Sequence, residues 1–282
     1  MDLWAGELPP EPGELAERAR DADGLLSMLT DRVDAQLIAA CPRLRVISNY
    51  AVGVDNVDVA AAAARGIPVG HTPDVLTDAT ADLAFALVLA AARRIVEGDA
   101  FVRDGRWGTW QPGLMLGRDV HGATLGIVGF GRIGRAVARR AAGFDMTVLH
   151  TRETPLEALL ERSDFVSLHA PLTDATRGII GEDELRRMRP TAILVNTARG
   201  PLVRTDALER ALREGWIAGA ALDVTDPEPL PASHPLLGAP NLLVVPHVGS
   251  ATHGARGAMA DLAVDNLLAG LAGRPLPHAV AP

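Results

Sequence analysis

Lysine is absent from this chain: all 27 basic residues among its 282 are arginine. That excludes Schiff-base chemistry, pyridoxal phosphate enzymes built on an internal lysine, and phosphate loops that need a lysine. Cysteine is nearly absent. Cys41 stands alone, so no intrachain disulfide can form, and no Cys/His cluster has zinc spacing. There is no basic run, and with a formal net charge of -8 nucleic acid and anionic membrane are excluded as main partners. The longest apolar run, residues 83–92, is too short to span a bilayer, and the opening MDLWAGELPP has neither the basic nor the apolar segment of a signal peptide. No internal repeat or low-complexity linker is visible. A reducing, cytoplasmic setting is expected. What is present is a globular composition, 48% hydrophobic, long enough for two domains with separate cores.

The chain is organised around residues 124–140, TLGIVGFGRIGRAVARR. Leu125, Ile127 and Val128 predict a short strand. Gly129, Gly131 and Gly134 then lead into a helix with Ile133 and Val137 on one face. The first glycine permits a tight turn, the second lets a pyrophosphate approach the backbone, the third lets helix and strand pack closely, and the free N–H groups of the helix start attract the anion. Strand before and helix after make this a dinucleotide site rather than a plain turn.

Ahead of it, residues 1–4 read as a short strand, 11–20 as a helix and 25–29 as a buried strand. Residues 45–50 and 67–71 read as two more strands around an alanine-rich helix at 57–64, which predicts a small parallel sheet with helices on its faces. Thr77 opens a helix over 78–97 ended by Gly98, apolar on nearly every side and therefore expected between domains or subunits. Residues 101–121 form an extended arm with Trp107 and Trp110 as anchors, for an interface or for the core. After the glycine turn, strands recur at 146–149, 165–168, 192–195, 218–222 and 242–245, with helices at 182–188 and 206–214, the alternation of a doubly wound domain. A last helix spans 255–271. The expected division is residues 1–71 plus 255–282 as one discontinuous domain and 72–254 as the dinucleotide-binding domain.

In an open parallel sheet, ligands bind beyond the carboxyl ends of the strands. Arg199, Asp223 with Glu228, and His247 follow three successive strands. Singly, such an arginine reads equally as a surface charge, and a histidine after proline as a capping group. Together they are what reduction of a 2-oxo acid requires. A guanidinium fork holds the carboxylate, an imidazolium donates its proton to the carbonyl oxygen as hydride arrives at carbon, and a neighbouring carboxylate orients the ring and favours its charged form. The other histidines lack such partners and read as structural, apart from a cofactor contact by His150. At the end of the second strand, where NAD enzymes place an acid, stands Arg152, which favours the extra phosphate of NADP; the adjacent Glu153 is the competing reading, favouring NAD.

The chain resembles the D-isomer-specific 2-hydroxyacid dehydrogenases, in particular the glyoxylate/hydroxypyruvate reductases. The resemblance rests on ISNYAVGVD at 47–55, TPDVLTD at 72–78, the glycine turn, NTARG at 196–200, LDVTDPEPL at 222–230 and PHVGSAT at 246–252. It implies a Rossmann-type doubly wound domain with a smaller flavodoxin-like substrate domain, and Arg199, Glu228 and His247 as the catalytic set, with His247 paired to Glu228. It implies that Val52 and Gly53 offer backbone N–H groups to the substrate carboxylate beside Arg199 and His247, and that Trp110 closes the active site of a partner subunit. Implied cofactor contacts are Thr80, the turn residues Gly129, Phe130, Gly131, Arg132, Ile133 and Gly134, then His150, Thr151 and Arg152, Pro171, Thr197, Ala198 and Arg199, Asp223 at the nicotinamide carboxamide, and His247, Gly249 and Ser250. A homodimer through the 78–97 helix and the 101–121 arm follows, with a small 2-oxo or 2-hydroxy acid as substrate, NADP(H) favoured and NAD(H) possible. The rival from another class is a non-catalytic, nucleotide-sensing interaction protein like the corepressors that share the fold.

Two departures from the family pattern stand out. After Arg152 the connection is too short for the family's third strand, an edge strand, so the sheet is expected to lack it. At the N-terminus a strand and helix that precede residues 1–4 in the family have no counterpart, which gives a shortened substrate domain. Residues 1–4 are expected to move in beside 25–29 as a reduced sheet.

Overall fold

The computed structural model describes residues 1–281. Pro282, the last residue of the expected substrate domain, lies outside them. The chain forms two compact units, Met1–Leu76 with Ala251–Pro282, and Thr77–Ser250. The divisions thus fall at 76/77 and 250/251, against 71/72 and 254/255 expected from the sequence.

The first unit runs α1 (Pro12–Ala19), β1 (Gly24–Ser27), α2 (Ala35–Ala40), β2 (Val46–Asn49), α3 (Val59–Ala64) and β3 (Val69–Gly70). The strands pair in parallel in the order β1-β2-β3. All four residues of the central β2 are buried, as a strand covered on both faces demands. Side chains of Asp34 and Asp58 accept from Leu37 N and Ala61 N and so start α2 and α3. Helix α2 was not foreseen, although aspartate ahead of AQLIAA is its signal. The C-terminal helix, His253–Leu271, lies on the sheet so closely that a Cβ on Gly270 would stand 2.4 Å from Val46 Cγ2.

Residues 1–4 do not join this sheet, which corrects the expectation of a replacement strand. Met1 and Leu3 are exposed, and no strand forms there. The reason lies in α1: Arg18 donates to Asp2 Oδ2 (2.8 Å) and to Leu3 O (3.0 Å) and sits 5.1 Å from the centre of the Trp4 ring. Trp4 Nε1 donates to Leu8 O. A charge-assisted bond and a cation–π contact hold the segment on the helix and away from the edge of β1.

The second unit contains α4 (Thr77–Ala92), α5 (Ile95–Arg103), β4 (Thr124–Val128), α6 (Arg132–Ala142), β5 (Thr147–His150), α7 (Leu156–Arg162), β6 (Phe165–Leu168), α8 (Glu182–Arg187), β7 (Ile193–Asn196), α9 (Thr205–Glu214), β8 (Gly219–Leu222) and β9 (Leu242–Val244). Six parallel strands pair in the order β5-β4-β6-β7-β8-β9. The order reverses at β4, and β5 is an edge, so the third strand is missing as expected. Alternation along the strands sends Phe165, Ile193 and Val195 to the face covered by α4 and α6, and Val166 and Leu194 to the opposite face with Leu159, Leu185 and Leu208.

The single helix expected over 78–97 is two. Arg94 has φ 54, and α5 restarts at Ile95. The Ala92 carbonyl, instead of continuing the ladder, accepts from Arg118 N (2.8 Å), and a Cβ on Gly117 would lie 2.3 Å from that oxygen. The returning arm thus ends α4, and Gly98 lies inside α5 rather than terminating anything. Nor is α4 buried all round: Ala84, Phe85, Leu87 and Val88 are buried in its own unit's core, while Asp82 and Ala86 are exposed.

Beyond β6, His169 packs at the strand end, its Nε2 2.8 Å from Ser167 Oγ. Burial pushes its pKa down to about 4. Unfolded, a histidine titrates near 6.5. The unfolded chain therefore takes up a proton that the folded chain refuses at this ring, so its contribution to stability is fully present above pH 6.5 and is lost as pH drops toward 4. The full shift, discounted for the ring's partial exposure, corresponds to about 2 kcal/mol. Urea unfolding at pH 7 and at pH 4.5 should show this loss in the wild type and a smaller one in His169→Gln; equal losses would contradict the assignment.

Candidate active site

The glycine turn follows β4 and packs against the end of β6. Gly129 has φ +93, and a Cβ there would lie 2.4 Å from Ala170 N; one on Gly134 would lie 2.4 Å from Gly129 O. Gly131 differs, with nothing within 4 Å of its Cβ position, and as N-cap of α6 it supplies no side-chain cap. Two glycines are therefore demanded by packing, and the third leaves open space in front of an uncapped helix start, the place for an anion.

Thr151, expected as a cofactor contact, has its hydroxyl on the turn itself, accepting from Gly129 N (3.1 Å). Phe130 stacks on His150, with centroids 3.8 Å apart and planes 19° from parallel. Arg152 and Glu153 are both exposed at this corner, Glu153 Oε2 lying 3.6 Å from His150 Nε2. Buried His150 Nδ1 and Thr197 Oγ1 have no hydrogen-bond partner. Orphaned polar atoms at the ends of β5 and β7, together with the open helix start, fit a dinucleotide that would satisfy them. Pro171 is exposed, its carbonyl taking the Thr176 hydroxyl, and Ile133 is half-buried against the core. Arg132 is exposed at the start of α6.

The chemistry-bearing residues come from three neighbouring strand ends. After β7, Asn196 braces its own turn: Nδ2 donates to Arg199 O (2.8 Å), and Oδ1 accepts from Ala198 N (3.0 Å). Arg199 Nη1 donates to Ala198 O. Gly200 touches the loop after β8 so closely that a Cβ would stand 1.9 Å from Thr225 O. In that loop Glu228 Oε2 accepts from Thr225 N (3.2 Å), while Oε1 lies 2.5 Å from His247 Nδ1. Partial burial pushes the Glu228 carboxyl up, but the hydrogen bond and charge of His247, the Thr225 N–H and the charge of Arg199 outweigh it and hold the group below its ordinary value. Glu228 is thus a carboxylate facing Nδ1, and Nε2 of His247 is the ring nitrogen outside that contact.

Asp223 holds His247 in place. It is buried, and its Oδ1 and Oδ2 accept from Val248 N (2.6 Å) and Gly249 N (2.9 Å), while its backbone carbonyl accepts from His247 N (2.8 Å). His247 has φ 51, a left-handed backbone that a histidine adopts only when its surroundings impose it. Burial raises the Asp223 pKa against the opposing effects of the Val248 bond, the His247 charge and the Gly249 bond. Thr80 stands against the same clamp: a Cβ on Gly249 would lie 3.4 Å from Thr80 Cγ2. Ser250 follows at the end of the unit, half-buried.

Val52 and Gly53 lie half-buried in the first unit. Trp107 and Trp110 are 59% and 77% exposed, so they are not core anchors of this chain. Sequence reasoning saw Asn196 only within a motif and Asp223 only as a cofactor contact; an amide or carboxylate at a strand end, followed by a sharp turn, is the signal for such braces.

Residues 85–249 match the family described as D-isomer specific 2-hydroxyacid dehydrogenase, NAD binding domain. The chain belongs to this family. It is 53% identical to a glyoxylate reductase of Korarchaeum cryptofilum, over 99% of this chain and 89% of that protein. Among solved structures, the TT0316 protein of Thermus thermophilus superposes with a TM-score of 0.92 at 51% identity, covering 97% of this chain and 91% of that one. An NADPH-dependent glyoxylate/hydroxypyruvate reductase from Sinorhizobium meliloti, in complex with NADP and malonate, gives a TM-score of 0.86 at 37% identity over 94% and 85%. The chain is accordingly an NAD(P)-dependent enzyme that reduces small 2-oxo acids.

Glu228→Gln keeps the shape and removes the charge beside His247. Steady-state kinetics should show kcat lower by about a hundredfold or more, the range for a disabled proton donor, with melting temperature and cofactor affinity little changed. A kcat within a few-fold of wild type would remove Glu228 from the proton-donating couple.

Proposed function

We propose that the protein is a homodimeric, NADPH-dependent reductase of glyoxylate and hydroxypyruvate that forms the D-2-hydroxy acid. The observation that carries this reading is the His247–Glu228 contact at 2.5 Å beside Arg199, an imidazole held by a carboxylate next to a cation suited to a substrate carboxylate. The nicotinamide, when bound, supplies hydride to the substrate carbonyl carbon. His247 Nε2 gives its proton to the carbonyl oxygen, Glu228 offsets the ring's charge before the transfer and keeps it oriented, and Arg199 grips the substrate carboxylate. Backbone N–H groups of Val52 and Gly53 grip the same carboxylate, and Asp223, already bonded to Val248 and Gly249, orients the carboxamide.

Arg152 carries the preference for NADPH. It is exposed at the end of β5, where a cation favours an extra phosphate on the ribose and an acid would favour the free hydroxyls. Support also comes from the Sinorhizobium meliloti enzyme, whose structure contains NADP. Exposed Val96, Val102, Trp107, Trp110 and Leu116 on α5 and the following arm support self-association, with Trp110 reaching the partner's active site. The alternative of a non-catalytic interaction protein gains nothing from relatives that are named as reductases.

The test is cofactor oxidation with glyoxylate and hydroxypyruvate, using NADPH and NADH in turn, with Arg199→Ala as control. NADPH should have the lower KM, and Arg152→Ala should raise that KM about tenfold, as expected for loss of a charge-assisted bond, while leaving NADH unaffected. Equal or better use of NADH by the wild type would transfer the corner to Glu153. No turnover with any small 2-oxo acid would reject the reading.

A further inference from the structure

The loop after β2 has three successive carbonyls tied down. Thr72 N donates to Ala51 O (2.9 Å), His71 Nδ1 lies 2.9 Å from Val52 O, and Asn49 Nδ2 donates to Gly53 O (3.0 Å). A trans peptide is planar, with its C=O and the following N–H pointing in opposite directions. Each tied carbonyl therefore aims the next residue's N–H the other way, which presents Val52, Gly53 and Val54 N–H in a row. All three residues are half-buried. Successive backbone N–H groups of this kind suit an anion, which fits the carboxylate proposed for them.

We infer that His71 is a positioning residue for the substrate: its Nδ1–H holds the Val52 carbonyl and thereby fixes the Gly53 N–H toward the substrate carboxylate. This rests on the reading that Val52 and Gly53 bind that carboxylate. The Val52 oxygen can only accept, so Nδ1 carries the proton.

The histidine itself has little freedom. Its N–H donates to His278 O (3.0 Å), and its carbonyl accepts from Nδ2 of the fully buried Asn266 (3.0 Å), whose Oδ1 takes His278 N (2.9 Å). The same tail bridges Gly70 to Ala279 and bonds Val280 N to Val69 O (2.7 Å). The C-terminal segment thus sets His71, and His71 sets the loop. Of the three ties, only His71 can be cut cleanly. Thr72 acts through its backbone, and Asn49 also bonds Ser27 Oγ and Asn56, so that its loss would strip a buried network.

The test uses the intact enzyme with glyoxylate and NADPH. Binding lost equally from the ground and transition states raises KM and leaves kcat, so His71→Ala should raise the KM for glyoxylate about five- to tenfold with kcat and NADPH affinity within about twofold. His71→Asn should restore the wild-type KM, because Asn Nδ2 stands one bond from Cγ, as His Nδ1 does. Gly53→Pro, which deletes the N–H, should raise the same KM at least as much. An unchanged KM in His71→Ala while Gly53→Pro is impaired overturns the positioning role alone. An unchanged KM in both overturns the carboxylate reading together with it. A loss in His71→Ala that Asn does not restore, or one shared with NADPH affinity, assigns His71 to folding and also overturns the inference.

Discussion

The buried carboxylate of Asp223 decides where His247 stands. Its two oxygens take the N–H groups of Val248 and Gly249, and its own carbonyl takes that of His247. A left-handed histidine is unfavourable by itself, and these three bonds, made in a site where unmet polar groups are costly, hold it there. With the backbone fixed, the ring reaches Glu228, and Glu228 in turn is anchored by Thr225 N. His247, the proposed proton donor, is thus held by a chain of contacts that begins at the end of β8.

The same logic recurs wherever function is expected. Loops at the carboxyl ends of a parallel sheet carry no ladder to hold them, so each is held by a side chain that bonds backbone. Asn196 does this after β7, Thr151 closes the glycine turn from the end of β5, and Asn49 and His71 hold the loop after β2. Close packing sets the spacing: Gly129 against Ala170 and Gly200 against Thr225 leave no room for a side chain. Pre-organised donors of this kind need no rearrangement when charge arrives, which is why they suit both pyrophosphate and carboxylate.

The strands and the glycine turn were legible because continuous apolar runs bounded by turn residues are what a parallel sheet requires, and β6 falls where its apolar run does. Arg199, Glu228 and His247 could be singled out as candidates because a fold that binds ligands at strand ends makes those positions informative, and the expected contact between His247 and Glu228 is formed. What escaped depends on partners far away in sequence. Residues 1–4 have the pattern of a strand, but Arg18 captures Asp2, Leu3 and Trp4. The helix at 78–97 has an unbroken apolar pattern, yet Arg118 takes the Ala92 carbonyl and ends it. His71 looked structural because its partner is a backbone oxygen, to which sequence patterns are blind.

The central claim is that His247 gives the proton while the cofactor is bound elsewhere by the glycine turn. It is tested most directly by turnover of glyoxylate in His247→Gln, with NADPH affinity measured on the same variant. The account predicts a kcat lower by about a hundredfold or more with NADPH binding retained. Turnover within a few-fold of wild type would contradict it.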